Sequence, residues 1–328
     1  MEKPGKILLI QLRRIGDVIL TTPAVAALKR SHPQARIDFL AEPPGAEALE
    51  GNPHISEILA YNGEGLGEAF GWLRKVRLRG YDWVIDYLGN PRSALIAATS
   101  GALVKAGPAH AFHRWAYNHL LVQSRTHCYA GLEKIRVLKG LGVSSDGMDF
   151  LPTLYLARRT SPENLIGLVP ASRKRTRLYP ASSYARLGRL LRDRYGCALL
   201  VFWGPGERGL AQEVAAGIGE GAETTEETRT LKRAAELMVR CRLIITNCNG
   251  PKHMAVGLGV PTLTIHGSSD PVSWTPPDPR HRAVRLEELF CIGCGKNRCP
   301  YNLECLSRLS PERVFEEASE LMEKAPCP

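Results

Sequence analysis

KILLIQLRRIGDV, residues 6–18, carries the reading that decides the fold. Its first five residues run apolar after Lys6 without alternation, the pattern of a strand buried on both faces. Such strands belong to parallel sheets covered by helices. Gly16 and Asp17 then turn the chain into an amphipathic stretch over residues 18–31. The alternation continues outward. RIDFLA (36–41), EILAY (57–61) and WVIDYL (83–88) read as strands, separated by helices around residue 46 and over 70–78 and followed by one from Asn90 through 97. The pattern restarts at LIGLV (165–169). A helix over 182–194, the strand ALLVFWG (198–204), helices near 207 and over 231–239, and the strand RLIIT (242–246) follow. A helix from Pro251 and the strand PTLTIHG (261–267) come next. The closing helix, 311–322, has Ser310 as its cap and Pro311 at its first position. This is α/β grammar written twice: two tandem doubly wound domains, 1–160 and 161–328. In such sheets ligands sit beyond the carboxyl ends of the strands, so the strand-to-helix loops are where chemistry is sought.

The 328 residues suit two domains with cores of their own. At 44% hydrophobic and 23% charged residues the composition is that of a globular enzyme. A spanning helix, which needs a run of roughly 18 or more uncharged apolar residues, is excluded. The apolar stretch near the N-terminus is shorter than the roughly 7–15 residues of a signal-peptide core, so a cytoplasmic location is expected. Lys and Arg number 43 against 33 Asp and Glu, a surplus of +10 that points to anionic partners. The basic residues are scattered apart from Arg173, Lys174, Arg175 and Arg177. With no basic–aromatic interleaving and no helix-turn-helix pattern, nucleic acid is not the expected partner.

The first loop, QLRRIGDV (11–18), matches neither the dinucleotide fingerprint nor a P-loop. Asp17 admits two readings there: a helix N-cap, or a carboxylate placed to take a proton from an attacking hydroxyl. The loop TNCNGPKHMA (246–255) follows the strand RLIIT. Gly250 and Pro251 turn it into a helix whose free N–H groups favour an anion, and Lys252 and His253 in the first turn add positive charge. The alternative is an ordinary turn with an exposed histidine. The 173–177 cluster lies in the first loop of the second half, bordering the same cleft. It is either a solvated charge run or the place where Arg177 serves as a fork-shaped donor to a diphosphate.

Of nine cysteines, four gather as Cys291-x2-Cys294-x4-Cys299-x5-Cys305. The spacing allows a structural zinc or an iron–sulfur cluster, though it matches no standard set closely. Reduced thiols remain an alternative, and disulfides are disfavoured in a reducing compartment. Cys128, Cys197, Cys241 and Cys327 read as small hydrophobes.

LRRIGDVILTTPAVAALKRSHPQARIDFLAEP (12–43) and TNCNGPKHMAVGLGVPTLTIHGSSDP (246–271) resemble glycosyltransferase family 9, the ADP-heptose:lipopolysaccharide heptosyltransferases. YDWVIDYLGNPRSAL (81–95), RLYP (177–180) and the cysteine-bearing tail ending in SPERV (310–314) add to the resemblance. It implies a GT-B fold, two Rossmann-like domains facing a central cleft, with the acceptor on the N-terminal domain and the donor nucleotide on the C-terminal one. It also implies inverting, metal-independent transfer of heptose from ADP-heptose to the lipopolysaccharide inner core, with no cofactor needed for catalysis. Asp17 falls on the family's proposed catalytic base. Arg177 falls where a lysine usually contacts the donor diphosphate, and Asn249, Gly250 and His253 fall on the donor-binding turn around Pro251. Two positions depart from the pattern. Cys248 stands where an aspartate contacts the donor sugar, and Lys252 where a small or apolar residue is usual, so the sugar is a heptose, a heptose variant or another sugar. A GT-B nucleotide-sugar epimerase and a non-catalytic family member are the alternatives. Asp17 and the Gly250-Pro251 turn favour catalysis. The positive charge suits an anionic acceptor at the inner face of the inner membrane, where peripheral contact is expected.

Overall fold

β1 (Lys6–Ile10) holds four consecutive fully buried residues, Ile7 to Ile10, because both faces of its sheet are covered. Alternate side chains leave on opposite faces: Ile7 and Leu9 pack with Val25, Phe39 and Ile85, while Leu8 and Ile10 pack with Leu40, Val84 and Ala97. Each such burial contributes about 1.5–3 kcal/mol, so this strand anchors the N-terminal unit. The computed structural model describes residues 3–63, 65–124, 126–157 and 160–324; Cys327 lies outside them. The chain divides into two compact units, Met1–Tyr155 and Leu156–Pro328.

In the first unit β2 (Arg36–Ala41), β3 (Glu57–Ala60), β4 (Trp83–Asp86), β5 (Val104–Pro108) and β6 (His119–Leu121) join β1 in an all-parallel sheet. Its order is β3-β2-β1-β4-β5-β6. The second unit contains β7 (Glu163–Val169), β8 (Ala198–Val201), β9 (Ala222–Thr224), β10 (Cys241–Asn247), β11 (Thr262–Ile265) and β12 (His281–Val284). They are ordered β12-β11-β10-β7-β8-β9, again all parallel. Both sheets therefore have the doubly wound order of a Rossmann-type domain. The winding reverses between β1 and β4 in one and between β7 and β10 in the other, which marks the ligand-binding end of each.

Two local differences from the sequence reading have clear causes. The stretch 18–31 is two helices, Ile15–Ile19 and Thr22–Ser31. Pro23 has no N–H to give to the Ile19 carbonyl and its ring crowds it. The Thr22 hydroxyl takes that carbonyl instead, at 2.8 Å, and the Thr21 hydroxyl takes that of Asp17, also at 2.8 Å. The strands β5, β6, β9 and β12 carry no strong periodic signal, because each is only three to five residues long. Ser310 does cap the closing helix, Pro311–Lys324, accepting the Arg313 N–H at 3.2 Å.

Candidate active site

In the second unit the loops leaving β7 and β10 are tied together by asparagines. Asn247 Nδ2 donates to the Pro170 carbonyl at 2.6 Å, and Asn249 Nδ2 to that of Ala171 at 2.8 Å. Asn249 is also the N-cap of the helix Gly250–Gly257: its Oδ1 accepts the Lys252 N–H at 3.0 Å and the Thr246 hydroxyl at 3.2 Å. Such a cap stabilises by about 1 kcal/mol. Pro251 has no N–H and that of Lys252 is capped, so Gly250 supplies the first-turn amide that lies outside the helix's own bonding. Arg177 closes the short 3-10 turn Arg175–Arg177 and reaches back to the Cys248 carbonyl, with Nη1···O at 3.5 Å. Its buried Nε has no hydrogen-bond partner among the described residues. A buried guanidinium donor left open in this way suits an anionic ligand. Arg173 and Arg175 face solvent.

Lys252 and His253 depart from their expected roles. Lys252 is fully buried, and its ammonium donates to the Trp274 carbonyl and, at 3.5 Å, to the Thr275 hydroxyl. It is turned toward the 274–275 segment and is not a free donor for a phosphate. Burial lowers its pKa to about 8, a shift opposed by Cys248 and reinforced by Arg177. His253 is buried with its ring edge-on to Trp274, the centroids 6.0 Å apart. Burial, with Lys252, His266 and Arg177 around it, holds its pKa well below the usual 6.5. It is therefore neutral at pH 7 and adds no charge to the helix end. Cys248 is buried at the carboxyl end of β10. Sequence reasoning missed His266, which is buried between the Ser269 and Thr275 hydroxyls, each 3.0 Å away. Its position just past β11 was the available signal.

In the first unit Asp17 is half-buried in the loop after β1, at the third position of the helix Ile15–Ile19. Arg14 is the N-cap residue, so Asp17 is not. Asp17 Oδ2 accepts the Arg14 N–H at 3.5 Å, the outer limit of a hydrogen bond, so capping commits the carboxylate only weakly. Lys134, on the helix Ala130–Arg136, enters the same neighbourhood without any sequence signal. Its Nζ donates to Gln11 Oε1 at 3.0 Å and lies 4.7 Å from the centre of the Tyr87 ring. Burial lowers Lys134 to about 8, while the charges of Asp17 and Asp86 work in the opposite direction. Asp86, at the end of β4, is buried and accepts from the Tyr117 hydroxyl at 2.7 Å and from the N–H groups of Leu88 and Gly89 at 2.8 and 3.1 Å. Burial raises its pKa. Among the described residues no helix is long and apolar enough to cross a membrane.

The sequence profile of glycosyltransferase family 9 (heptosyltransferase) matches residues 72–303. The chain belongs to glycosyltransferase family 9. It is thus a glycosyltransferase, and its two Rossmann-type sheets are those of the GT-B fold. A family 9 glycosyl transferase from Veillonella parvula has a crystal structure that superposes with a TM-score of 0.85, at 25% identity over 99% of each chain. The Escherichia coli heptosyltransferase WaaC, solved with ADP-2-deoxy-2-fluoro heptose, gives 0.74 at 20% identity over 96% of this chain and 99% of its own. Lipopolysaccharide heptosyltransferase 3 of Escherichia coli is 23% identical over 291 residues, 81% of this chain and 84% of that one. The family 9 profile spans Arg177, the 248–253 turn and Cys291, Cys294 and Cys299, whereas Asp17 lies before it and Cys305 just after it.

Proposed function

We propose that this family 9 enzyme is an inverting glycosyltransferase moving a heptose, or a related sugar, from an ADP-sugar to the inner core of lipopolysaccharide. The observation that carries the reading is Arg177. Its unpartnered Nε and its reach to the Cys248 carbonyl put a fixed positive charge beside the amino end of the Gly250–Gly257 helix. Cation and helix end together suit the diphosphate of a nucleotide-sugar and the charge that develops on it as it leaves. The curated relative's name, and the relative solved with an ADP-heptose analogue, support ADP-heptose as donor and lipopolysaccharide as acceptor.

In this reading the acceptor hydroxyl attacks the anomeric carbon from the face opposite the diphosphate. The new C–O bond forms as the bond to the β-phosphate oxygen breaks, and the hydroxyl proton passes to the Asp17 carboxylate. ADP leaves with the electron pair, and the anomeric configuration inverts. Lys134 shares Asp17's surroundings and holds Gln11 of the same loop at 3.0 Å, which helps position that loop for the acceptor. The enzyme acts at the cytoplasmic side of the inner membrane. Phe112 and Trp115, exposed on either side of His113 and Arg114, support peripheral contact there. ADP release measured with and without a lipopolysaccharide inner-core acceptor tests the proposal. Release that depends on the acceptor and matches glycosylated product supports it; acceptor-independent turnover of the nucleotide-sugar contradicts it.

A further inference from the structure

The clustered cysteines carry no site of their own: Cys291, Cys294, Cys299 and Cys305 are free thiols, and among the described residues no three ligating side chains are placed to hold a metal ion. A pair of arginines in the first unit does carry one. The loops leaving β1 and β2 and the helix Pro91–Thr99 after β4 stand side by side, because those strands are neighbours in the sheet. They gather at the carboxyl ends of the strands, where a doubly wound sheet takes its ligand. Arg13 comes from the first loop, Glu42 from the second and Arg92 from the first turn of the helix. Arg13 Nε and Arg92 Nη2 share one oxygen, Glu42 Oε1, at 3.1 and 3.7 Å. Two guanidinium groups thus lean on one carboxylate, and a positive charge is left over.

A structural pair in the same unit looks different. Arg79 gives Glu57 both arms of its fork, at 2.7 and 2.6 Å, with only 23% of its side chain exposed. The side chains of Arg13 and Arg92 are 53% and 38% exposed, and only Arg13 reaches Glu42 at hydrogen-bond length. Most of their N–H donors are open to a second anion. Both arginines are nonetheless held in place. The Gln11 amide donates to the Arg13 carbonyl, Lys134 donates to the Gln11 side-chain oxygen at 3.0 Å, and the Glu42 N–H donates to the Leu12 carbonyl at 3.0 Å. The Arg92 guanidinium lies 5.9 Å from the centre of the Tyr61 ring. Arg92 is also the second residue of its helix, an end whose dipole disfavours a cation unless an anion joins it. Asn90 Oδ1 takes the Ser93 N–H at 2.8 Å and Pro91 has none, so the Arg92 N–H is the first-turn amide outside the helix's own bonding.

We propose that Arg13 and Arg92 anchor the acceptor sugar by an oxyanion, a carboxylate or a phosphate, in the unit that carries Asp17. Arg13 belongs to the Asp17 loop, so the anchor and the group that takes the hydroxyl proton share one backbone segment. A planar guanidinium fork matches either oxyanion, and two forks that converge on one carboxylate oxygen can converge on a ligand's. Glu42 holds the pair together while the site is empty and competes weakly with the ligand, because it satisfies few of the donors. The identity of the ligand as an acceptor rests on the glycosyl-transfer reading; the anion site does not.

The test uses the full chain and a deacylated inner-core oligosaccharide in four forms: native, dephosphorylated, with its carboxylates reduced to alcohols, and with both changes. Arg13→Gln and Arg92→Gln should each raise KM for the native form at least about tenfold, with kcat within about threefold and KM for the ADP-sugar unchanged. Arg36→Gln, at the amino end of β2, should leave all three as they are. On the doubly stripped form the wild type and both variants should coincide. The single treatment that removes the difference names the anion, phosphate or carboxylate. Glu42→Gln should lower KM for the native form, the opposite sign to the arginines, because it frees both forks. An unchanged KM in variants that melt normally overturns the site, as does a penalty that persists on the stripped form. A Glu42→Gln variant that raises KM as the arginine variants do also overturns it, leaving a structural network. Calorimetric binding of the same oligosaccharides needs no turnover. Arginine-dependent binding without transfer contradicts the glycosyl-transfer reading and supports the site, whereas a wild type that binds the native and stripped forms alike, or neither, overturns the site.

Discussion

Removing the Arg177 guanidinium separates a binding role from a structural one. In the protein itself Arg177 makes one long contact, 3.5 Å to the Cys248 carbonyl, and its buried Nε is unpartnered among the described residues. A bond of that length contributes at the bottom of the usual range, so Arg177→Ala should cost less than about 1 kcal/mol of stability. For a unit of this size that lowers Tm by no more than about 2–4 °C. A diphosphate held by the same guanidinium would lose a charged hydrogen bond of about 1.5–3 kcal/mol, roughly a 10- to 150-fold rise in Kd. Titration calorimetry with ADP measures that difference directly, alongside a melting curve for each variant. Arg177→Lys should fall between wild type and alanine, because lysine keeps the charge and loses the planar fork. A folded Arg177→Ala protein that binds ADP as tightly as wild type would refute the assignment of the diphosphate to this turn.

Other outcomes follow from the buried cations. Lys252 titrates near 8 in the folded protein against 10.5 in a free chain, so below pH 8 the folded state keeps an ammonium it would shed. Between about pH 8 and 10.5 the unfolded chain holds the extra proton, so the contribution of Lys252 to stability should rise with pH by about 3 kcal/mol. Above pH 9 it is opposed by the thiols of Cys197, Cys241 and Cys305, which burial keeps protonated. Lys134 titrates in the same window and adds its own rise. Lys252→Met should therefore gain stability over wild type at pH 7.5 and less so at pH 10 in urea unfolding, and a difference from wild type that is the same at both pH values would contradict the burial argument. Lys134→Met removes the 3.0 Å bond to Gln11 beside Asp17 and should lower kcat while leaving ADP affinity within about twofold. An unchanged kcat would show that Lys134 plays no part in the chemistry.

Residues whose neighbours are local were legible from sequence; those whose neighbours are distant were not. KILLI and RLIIT are buried on both faces, so an unbroken apolar run identified the central strands, and the loops after them are where Asp17 and the 248–253 turn lie. The three-residue strands β6 and β9 borrow their stability from the neighbouring strand and leave almost no pattern. Lys252 and His253 read as charge at a helix end because sequence shows their spacing from Gly250 and hides Trp274, which is 22 residues away from Lys252 and covers them both. Lys134 was invisible for the same reason: its partner Gln11 is 123 residues distant. The cysteines could be grouped by spacing, but that they line one cavity with Thr176 emerges only from the folded chain.

The measurement that bears most directly on the central claim is turnover of Asp17→Asn with an ADP-sugar and an inner-core acceptor. Asparagine keeps the shape and can still accept the 3.5 Å contact from the Arg14 N–H, so melting temperature and ADP affinity should hold. It cannot take a proton from the acceptor hydroxyl, and kcat should fall by about 10²–10⁴-fold. Transfer within a few-fold of wild type, in a variant that melts normally, would contradict the account and leave Asp17 as part of a helix end.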